Sequence, residues 1–197
     1  MHEFLFALMF IALGLGVGTF GTLIGAGGGF VLMPVLLVLY PGENPALLTS
    51  ISLAVVFFNA VSGSEAYARM GRIDYKAGLP FALASIPGAV LGAMATAAAS
   101  RRVFDLIFGV SLIAGALFLV THKQGKGPAC QGPCPGLTTR RLVERDGTVH
   151  EYSYRRSVGL AISVGVGFVS SFLGIGGGIV HVPALVYLLH FPVHIAT

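Results

Sequence analysis

The chain has 197 residues, of which 55% are hydrophobic and only 10% charged, with a formal net charge of +4. A soluble domain carries about 25% charged residues, so this composition excludes an ordinary water-soluble globular protein. The apolar residues fall into five long blocks. Because one crossing of the hydrocarbon layer takes about 20 apolar residues, the chain is predicted to be an integral membrane protein.

The first block, residues 4–42, contains 39 residues and no charged side chain. As one straight helix it would be about 58 Å long, against a hydrocarbon thickness of about 30 Å. The segment must therefore break. Its "GAGGG" run at 25–29 is the expected place, since consecutive glycines form helix poorly and permit backbone angles that other residues avoid. The residues after the break, 30–40, are enough for a half-helix.

Three more membrane helices are predicted at residues 46–64, 79–99 and 103–121. In the second of these, the small residues Gly88 and Gly92 predict a face on which another helix packs closely.

Asp105 follows Arg101 and Arg102 by about one helical turn. A local ion pair is expected to account for this charged residue.

The polar segment 122–156 separates the fourth block from the fifth. In its second part apolar and polar residues alternate around Asp146-Gly147, which predicts a small β-hairpin with no chemistry of its own. In its first part, Cys130 and Cys134 stand at a spacing that matches no strong zinc pattern. Incidental cysteines are favoured over a metal-binding or thiol-relay pair.

The distribution of basic residues among the loops predicts the orientation of the chain in the membrane. Ten of the twelve Lys and Arg lie in the two loops 69–76 and 122–156, and only Arg101 and Arg102 lie in the intervening loop. Short basic loops stay on the cytoplasmic side. Both basic loops are therefore expected in the cytoplasm.

The last block, 157–189, repeats the first. With a shift of 149 positions, residues 16–39 match 165–188 at eleven of 24 positions, among them the glycines of G-x-G-G-G and a proline five residues later. The second copy ends at Thr197, whereas the first continues for 72 residues after Thr49. We therefore expect a duplicated unit whose second copy is truncated, and the pattern leaves parallel and inverted repeats equally open.

A half-helix after each glycine run would direct its N-terminus, with unpaired amides and a positive dipole, at the break. Two such ends can hold an anion without an intramembrane Lys or Arg. The competing interpretation of the motif is close helix packing or a hinge, and its duplication favours a transport site. Further candidate donors are the hydroxyls of Thr19, Thr22, Thr49, Ser50, Ser170 and Ser171.

Other polar residues inside the blocks are weaker signals. Asn59 and Ser62 line a path or bond a neighbouring helix. Glu65 is solvated at a helix end or couples protons. His181 either titrates during transport or packs as a neutral ring.

At "GTLIGAGGGFVLMPVL" and its echo "SFLGIGGGIVHVPALV" the chain resembles the TauE/SafE, or sulfite exporter, family. The stretches "LLTSISLAVVFFNAVSG" and "GRIDYKAGLPFALASIPGAVLGA" resemble it too, so that the likeness covers 4–121 and 157–197. It implies a multi-pass plasma-membrane transporter of sulfite, organosulfonates or other small, mostly sulfur-containing anions. The family's Thr-Ser pair, which follows the half-helix, matches Thr49-Ser50 in this chain. In the second copy only the threonine of that pair, Thr197, is present. The candidate substrate-binding residues are Gly25, Gly27, Gly28, Gly29, Pro34, Thr49, Ser50, Asn59, Ser170, Ser171, Gly174, Gly176, Gly177, Gly178 and Pro183.

These observations predict an all-α membrane bundle: a first repeat at 1–121, a cytoplasmic loop at 122–156 and the start of a second repeat at 157–197. The predicted function is secondary transport of a small anion by alternating access around the paired half-helix ends. A passive anion channel is the first alternative, and a redox protein using Cys130 and Cys134 is the second.

We expect no enzymatic activity, no catalytic residue, no metal and no cofactor. The expected partners are the anion and the lipid bilayer, and not nucleic acid. Homo-oligomerisation is left open.

Overall fold

The computed structural model describes residues 8, 11, 14–19, 21–22, 27–71, 73–121, 138–143 and 149–188. Residues 14–19 and 21–22 are helical. The helices and strands that follow are α1 (Gly29–Leu39), α2 (Pro45–Met70), α3 (Tyr75–Ala98), α4 (Arg101–Thr121), β1 (Thr138–Val143), β2 (Val149–Tyr154), α5 (Arg156–Leu173) and α6 (Gly178–Pro183), which a π-helical turn, Ala184–Leu188, extends.

Three of the described helices are long and apolar enough to cross a membrane, within Pro45–Met70, Gly78–Ala98 and Arg156–Leu173. Their surfaces carry large apolar side chains, such as Phe58, which is 72% exposed. In water so much exposed hydrocarbon would drive association, whereas in a bilayer lipid tails cover it. The predicted all-α membrane fold is confirmed. The span predicted at 103–121 falls on α4, which has 21 residues and charged residues in its first turns.

The boundaries of α2 follow from local sequence. Asn44 caps its start, with the side chain accepting a hydrogen bond of 2.9 Å from the amide of Ala46. Pro45 occupies the first helical position, where its missing amide hydrogen costs nothing. Gly71 ends the helix in the left-handed conformation, with φ 73°, which a glycine adopts without steric penalty.

The strands β1 and β2 pair antiparallel in a two-stranded sheet, with Thr138 opposite Tyr154 and Val143 opposite Val149. They flank the Asp146-Gly147 pair on which the hairpin prediction rests; that pair itself lies outside the described residues. Apart from this hairpin, the secondary-structure elements of the described residues are helical.

The most extensive helix–helix contact is that between α3 and α5, and glycines make it possible. A Cβ atom added at Gly88 would collide with the carbonyl oxygen of Val164, and one at Gly92 with that of Phe168. From the opposite side, a Cβ atom at Gly167 would collide with the Ser85 carbonyl oxygen. The predicted close-packing face at Gly88 and Gly92 is thus present, and α5 is the helix that packs on it.

A compact apolar cluster joins α1, α2, α4 and α5. Met33 and Phe104 are fully buried at its centre, and Leu48 is 1% exposed. The rings of Phe104 and Phe172 lie 5.7 Å apart between centroids, within the range of favourable aromatic pairs. Because the cluster includes the end of α5 and the middle of α1, it places the two glycine motifs in the same region of the molecule.

The Arg101 side chain ties the start of α4 to the end of α1. Its Nε lies 2.9 Å from both carboxylate oxygens of Asp105. Its two terminal nitrogens donate to the carbonyl oxygens of Leu37, Tyr40 and Glu43 at 2.9–3.1 Å. The expected ion pair of Asp105 is therefore present, and the arginine also satisfies carbonyls that the end of a helix leaves without partners.

The crossing of α3 and α5 predicts a large cost for Gly88→Ala. The new methyl group meets backbone, which cannot move aside as a side chain can, so we expect the free energy of unfolding to fall by about 1–3 kcal/mol or more. The measurement is the midpoint of thermal unfolding of the purified protein in detergent. Gly115→Ala on α4, where an added Cβ meets nothing within 4 Å, is the matched control; equal midpoints would contradict the close crossing.

Arg101→Lys tests the link between α1 and α4. Lysine keeps the charge but not the planar fork of donors, so it loses most of these bonds. Bonds to a charged group contribute about 1.5–3 kcal/mol, and we expect a loss of that order in the same unfolding measurement. Arg102→Lys changes an exposed neighbour and should leave the midpoint unaltered. An Arg101→Lys variant as stable as the Arg102→Lys variant would rule out this role.

Candidate functional site

The described parts of the two glycine motifs share two backbone features. Each is followed by a helix that starts at the last glycine of its run, Gly29 in α1 and Gly178 in α6. The equivalent residues Gly27 and Gly176 are both left-handed, with φ 73° and 81°. Among the described residues, an equivalent glycine of each motif thus has non-helical backbone angles, within the run where the sequence predicts a break.

The copies differ one residue further on. Gly28 is left-handed, with φ 78°, whereas its counterpart Gly177 has ordinary right-handed helical angles. A Cβ at Gly28 would lie 2.8 Å from the carbonyl oxygen of Val17, but one at Gly177 would meet nothing within 4 Å. Gly28 is therefore required by the fold, and Gly177 borders open space.

The prolines Pro34 and Pro183 both stand five residues after the start of their helices. Proline has no amide hydrogen to donate to the carbonyl four residues earlier, and this weakens a helix interior. Around Pro34 the α-helix continues to Leu39, whereas after Pro183 it widens into the π-helical turn.

The two motifs meet in space. A Cβ added at Gly29 would lie 2.6 Å from the carbonyl oxygen of Ile175, so the backbones of the two motifs touch. Val56 of α2 contacts both: its methyl groups lie within 3.3 Å of the Cβ positions of Gly27, Gly29 and Gly176. Two segments separated by about 150 positions in the sequence thus form one junction.

One face of α2 lines this junction, with residues at the helical spacing i, i+3, i+7 and i+10: Thr49, Ser52, Val56 and Asn59. The Thr49 methyl group lies 2.8 Å from the Cβ position of Gly174, and the buried Ser52 hydroxyl donates to the Gly174 carbonyl oxygen at 2.6 Å. At the other end, the Thr22 hydroxyl donates to Asn59 Oδ1 at 2.9 Å.

Sequence reasoning selected Thr49 and Asn59 from this face and missed Ser52 and Val56. The signal that would have found them is the helical repeat counted from Thr49, because residues three and seven positions later lie on the same side of a helix.

The other predicted donors are placed differently. The Ser50 side chain is exposed and donates to the Ala46 carbonyl oxygen of its own helix at 2.6 Å. The Thr49 hydroxyl also donates within α2. Ser170 and Ser171 are each 8% exposed near the end of α5, and Ser171 packs against Gly92 of α3. The junction therefore gathers Gly27, Gly29, Gly174 and Gly176 with Thr49, and with Asn59 at its far end, but not Ser50.

Besides Asp146 and Gly147, four residues named in the sequence analysis, Gly25, Cys130, Cys134 and Thr197, lie outside the described residues. Of the other polar residues, Glu65 forms an ion pair with Arg69 on the exposed surface of α2.

The N-terminus of α1, which carries the partial positive charge of the helix dipole, lies at the junction. The amides of Val31 and Leu32 both donate to the Gly28 carbonyl oxygen at 3.1 Å, which leaves those of Gly29 and Phe30 outside the hydrogen-bond ladder of the helix. The same pattern recurs in the second motif, where Val180 and His181 donate to Gly177 at 3.3 and 2.8 Å. Neither helix start has a capping side chain.

An apolar cavity of about 380 Å³ lies beside the junction but not in it. It runs between the N-terminal helical residues, α1 and α2, and it is lined by Gly14, Val17, Leu32, Leu36, Tyr40, Glu43, Leu47, Leu48, Ile51 and Val55. None of the described motif glycines lines it. A mostly hydrocarbon wall suits lipid tails better than a hydrated anion, so the junction is the better candidate for a polar ligand.

Apolar spanning helices arranged around segments broken at membrane depth define a class, the polytopic membrane transporters. Comparison with known proteins agrees. The sequence model of the sulfite exporter TauE/SafE family matches residues 10–197. The chain belongs to this family, as its glycine and proline motifs indicate.

Two relatives illustrate the match. The probable membrane transporter protein YunE of Bacillus subtilis is 35% identical over 197 residues, covering 96% of this chain and 70% of the relative. A probable membrane transporter protein of Methanocaldococcus jannaschii is 27% identical over 190 residues, covering 93% and 63%. The chain thus spans about two thirds of the length of these proteins. No solved structure matches it significantly.

Ser52→Ala tests how the second motif is held. The Gly174 carbonyl oxygen loses its buried donor, and leaving such a group unpaired costs about 1–3 kcal/mol. We expect the thermal unfolding midpoint to fall accordingly. Ser50→Ala, which removes an exposed hydroxyl two residues away, is the control and should have almost no effect. The assigned bond is wrong if the two variants are equally stable.

Proposed function

We propose that the protein is a secondary transporter that moves a small anion, sulfite or an organosulfonate, by alternating access at the junction of the two glycine motifs. The observation that carries the proposal is the contact of both motifs with Val56 and with each other. The membership of a sulfite exporter family supports the substrate class.

The anion would be held by backbone instead of by a charged side chain. The motifs at 25–29 and 174–178 contain no Lys or Arg. A helix N-terminus directs its first amides and about half a positive elementary charge at a ligand, and glycine allows the ligand to approach them. The carbonyls at the opposite end of α1 are bound by Arg101, so the partial negative charge of that end is also balanced.

Binding by amides alone has a consequence for transport. A permanent intramembrane cation would hold an anion tightly and would itself be costly in hydrocarbon. Partial charges attract the ion less strongly, which allows release on the other side. Unwound backbone at this depth is tolerated where protein or a water-filled space satisfies it, and the open space at Gly177 suits such a role.

A passive channel on the same scaffold remains the alternative function. The direct contact of Gly29 with Ile175 closes the path at this point, which supports a gated carrier over an open pore. Saturable sulfite accumulation against its electrochemical gradient, driven by a pH difference across sealed vesicles without a membrane potential, is expected for the carrier. A channel would only equilibrate the anion.

The orientation is proposed from charge alone. Loops 69–76 and 122–156 would face the cytoplasm of a cell whose plasma membrane the protein spans. The internal duplication would supply the two sides of the anion site, in accord with transporters built from repeats.

Gly177→Ala is the sharpest single test of the site. Its helical backbone and open surroundings accept a methyl group, so we expect unchanged folding. That methyl would occupy the space left for the anion, and we expect sulfite flux in proteoliposomes to fall about tenfold, which corresponds to about 1.4 kcal/mol in transition-state stabilisation.

Gly165→Ala on α5, also open within 4 Å, is the matched control and should transport normally. Unchanged flux in Gly177→Ala, or an equal loss in both variants, would exclude the junction as the site. No flux from the unaltered, folded protein would remove sulfite as the substrate.

A further inference from the structure

We propose that Val56 is the residue that sets the size of the anion the junction accepts. The inference rests on the proposed function, since it names a specificity-determining side chain of the same site. No motif in the sequence points to this valine, which lies in the middle of an apolar helix.

The geometry is a close fit between one side chain and three glycines. Val56 Cγ1 lies 3.3 Å from the Cβ position of Gly27 and 2.7 Å from that of Gly176, and Cγ2 lies 2.7 Å from that of Gly29. Contacts of 2.7 Å to a real Cβ atom would be prohibitive. The valine methyl groups therefore occupy space that exists because these positions of both motifs are glycine.

Valine is also rigid at this place. A β-branched residue in a helix has one strongly preferred side-chain rotamer, so the two methyl groups stay directed at the two motifs. On the same face, Ser52 lies one turn before and donates a hydrogen bond to the Gly174 carbonyl oxygen. Asn59 lies one turn after and accepts a hydrogen bond from the Thr22 hydroxyl. Val56 is thus the apolar spacer in a polar row.

This side chain contacts both Gly29, at the start of α1, and Gly176, the residue before the open space at Gly177. An anion held by the amides of α1 has to share the junction with the valine methyl groups. A smaller residue at 56 should admit a larger anion, and a larger residue should exclude even a small one.

The neighbours of Val56 provide controls. Val55 faces the apolar cavity and packs against the core cluster, so Val55→Ala removes the same volume from the same helix without touching the motifs. Phe57 lies on the outer surface of the bundle, with 62% of its area exposed.

The first experiment compares flux of sulfite and of the larger 2-aminoethanesulfonate in proteoliposomes. Val56→Ala should raise the ratio of the larger to the smaller anion about tenfold or more, the discrimination that removed methyl groups give in a fitted pocket. Val56→Leu should lower the ratio, and Val55→Ala should leave it unchanged. If Val56→Ala and Val55→Ala reduce both fluxes alike, Val56 is only a packing residue and the proposal fails.

The second experiment does not require measurable transport. In a background with Cys130→Ser and Cys134→Ser, the thiol introduced by Val56→Cys should react with a negatively charged methanethiosulfonate reagent, and ethanesulfonate should slow the reaction. The thiol of Phe57→Cys, surrounded by lipid, should not react. No labelling at position 56 overturns the proposal even if transport is normal, whereas labelling without sulfite or sulfonate flux would remove the proposed substrates and keep Val56 in an anion-accessible path.

Discussion

Within hydrocarbon every backbone amide and carbonyl must find a partner inside the protein. Where a helix ends or breaks, some of these groups lose their partner within the helix, and the structure is organised around the hydrogen bonds that replace it. The carbonyl oxygens freed near the end of α5 accept hydrogen bonds from side chains of other helices: Thr96 of α3 donates to Phe172 at 2.9 Å and Ser52 of α2 to Gly174 at 2.6 Å. Arg101 of α4 likewise donates hydrogen bonds to carbonyl oxygens at the end of α1. Among the described residues, no buried side-chain nitrogen or oxygen lacks a partner.

These bonds have a second effect, because each one joins two helices. Thr96 lies one turn beyond Gly92 and two turns beyond Gly88 on the face of α3 that packs on α5, so close glycine packing and a helix-end hydrogen bond reinforce each other. Small residues hold membrane helices together where no hydrophobic contrast is available. The result is a closely packed pair of helices, α3 and α5, to which the Ser52 hydrogen bond joins α2.

The carbonyl groups at these helix ends accept hydrogen bonds from side chains, whereas no side chain caps the first amides of α1 and α6 at the junction. Gly28 and Gly177 offer no capping side chain to the helices that follow them. A soluble helix commonly begins with Ser, Thr, Asp or Asn, whose side chain accepts from the first amides, as Asn44 does for α2. The asymmetry between capped carbonyl ends and uncapped amide ends is the physical basis for assigning an anion to this place.

The sequence by itself determined the membrane class, the breaks at both glycine runs, the small-residue face of α3 and the pairing of Asp105 with arginine. Each of these depends on composition or on residues close together along the chain. The tertiary structure alone decided that the two motifs touch, that Val56 and Ser52 face them, and that the Thr49 hydroxyl is used within its own helix. It also decided that Gly28 and Gly177 differ, although they are equivalent in the repeat. The reason is that one copy packs against Val17 and the other borders open space, and such surroundings arise only when distant segments fold together.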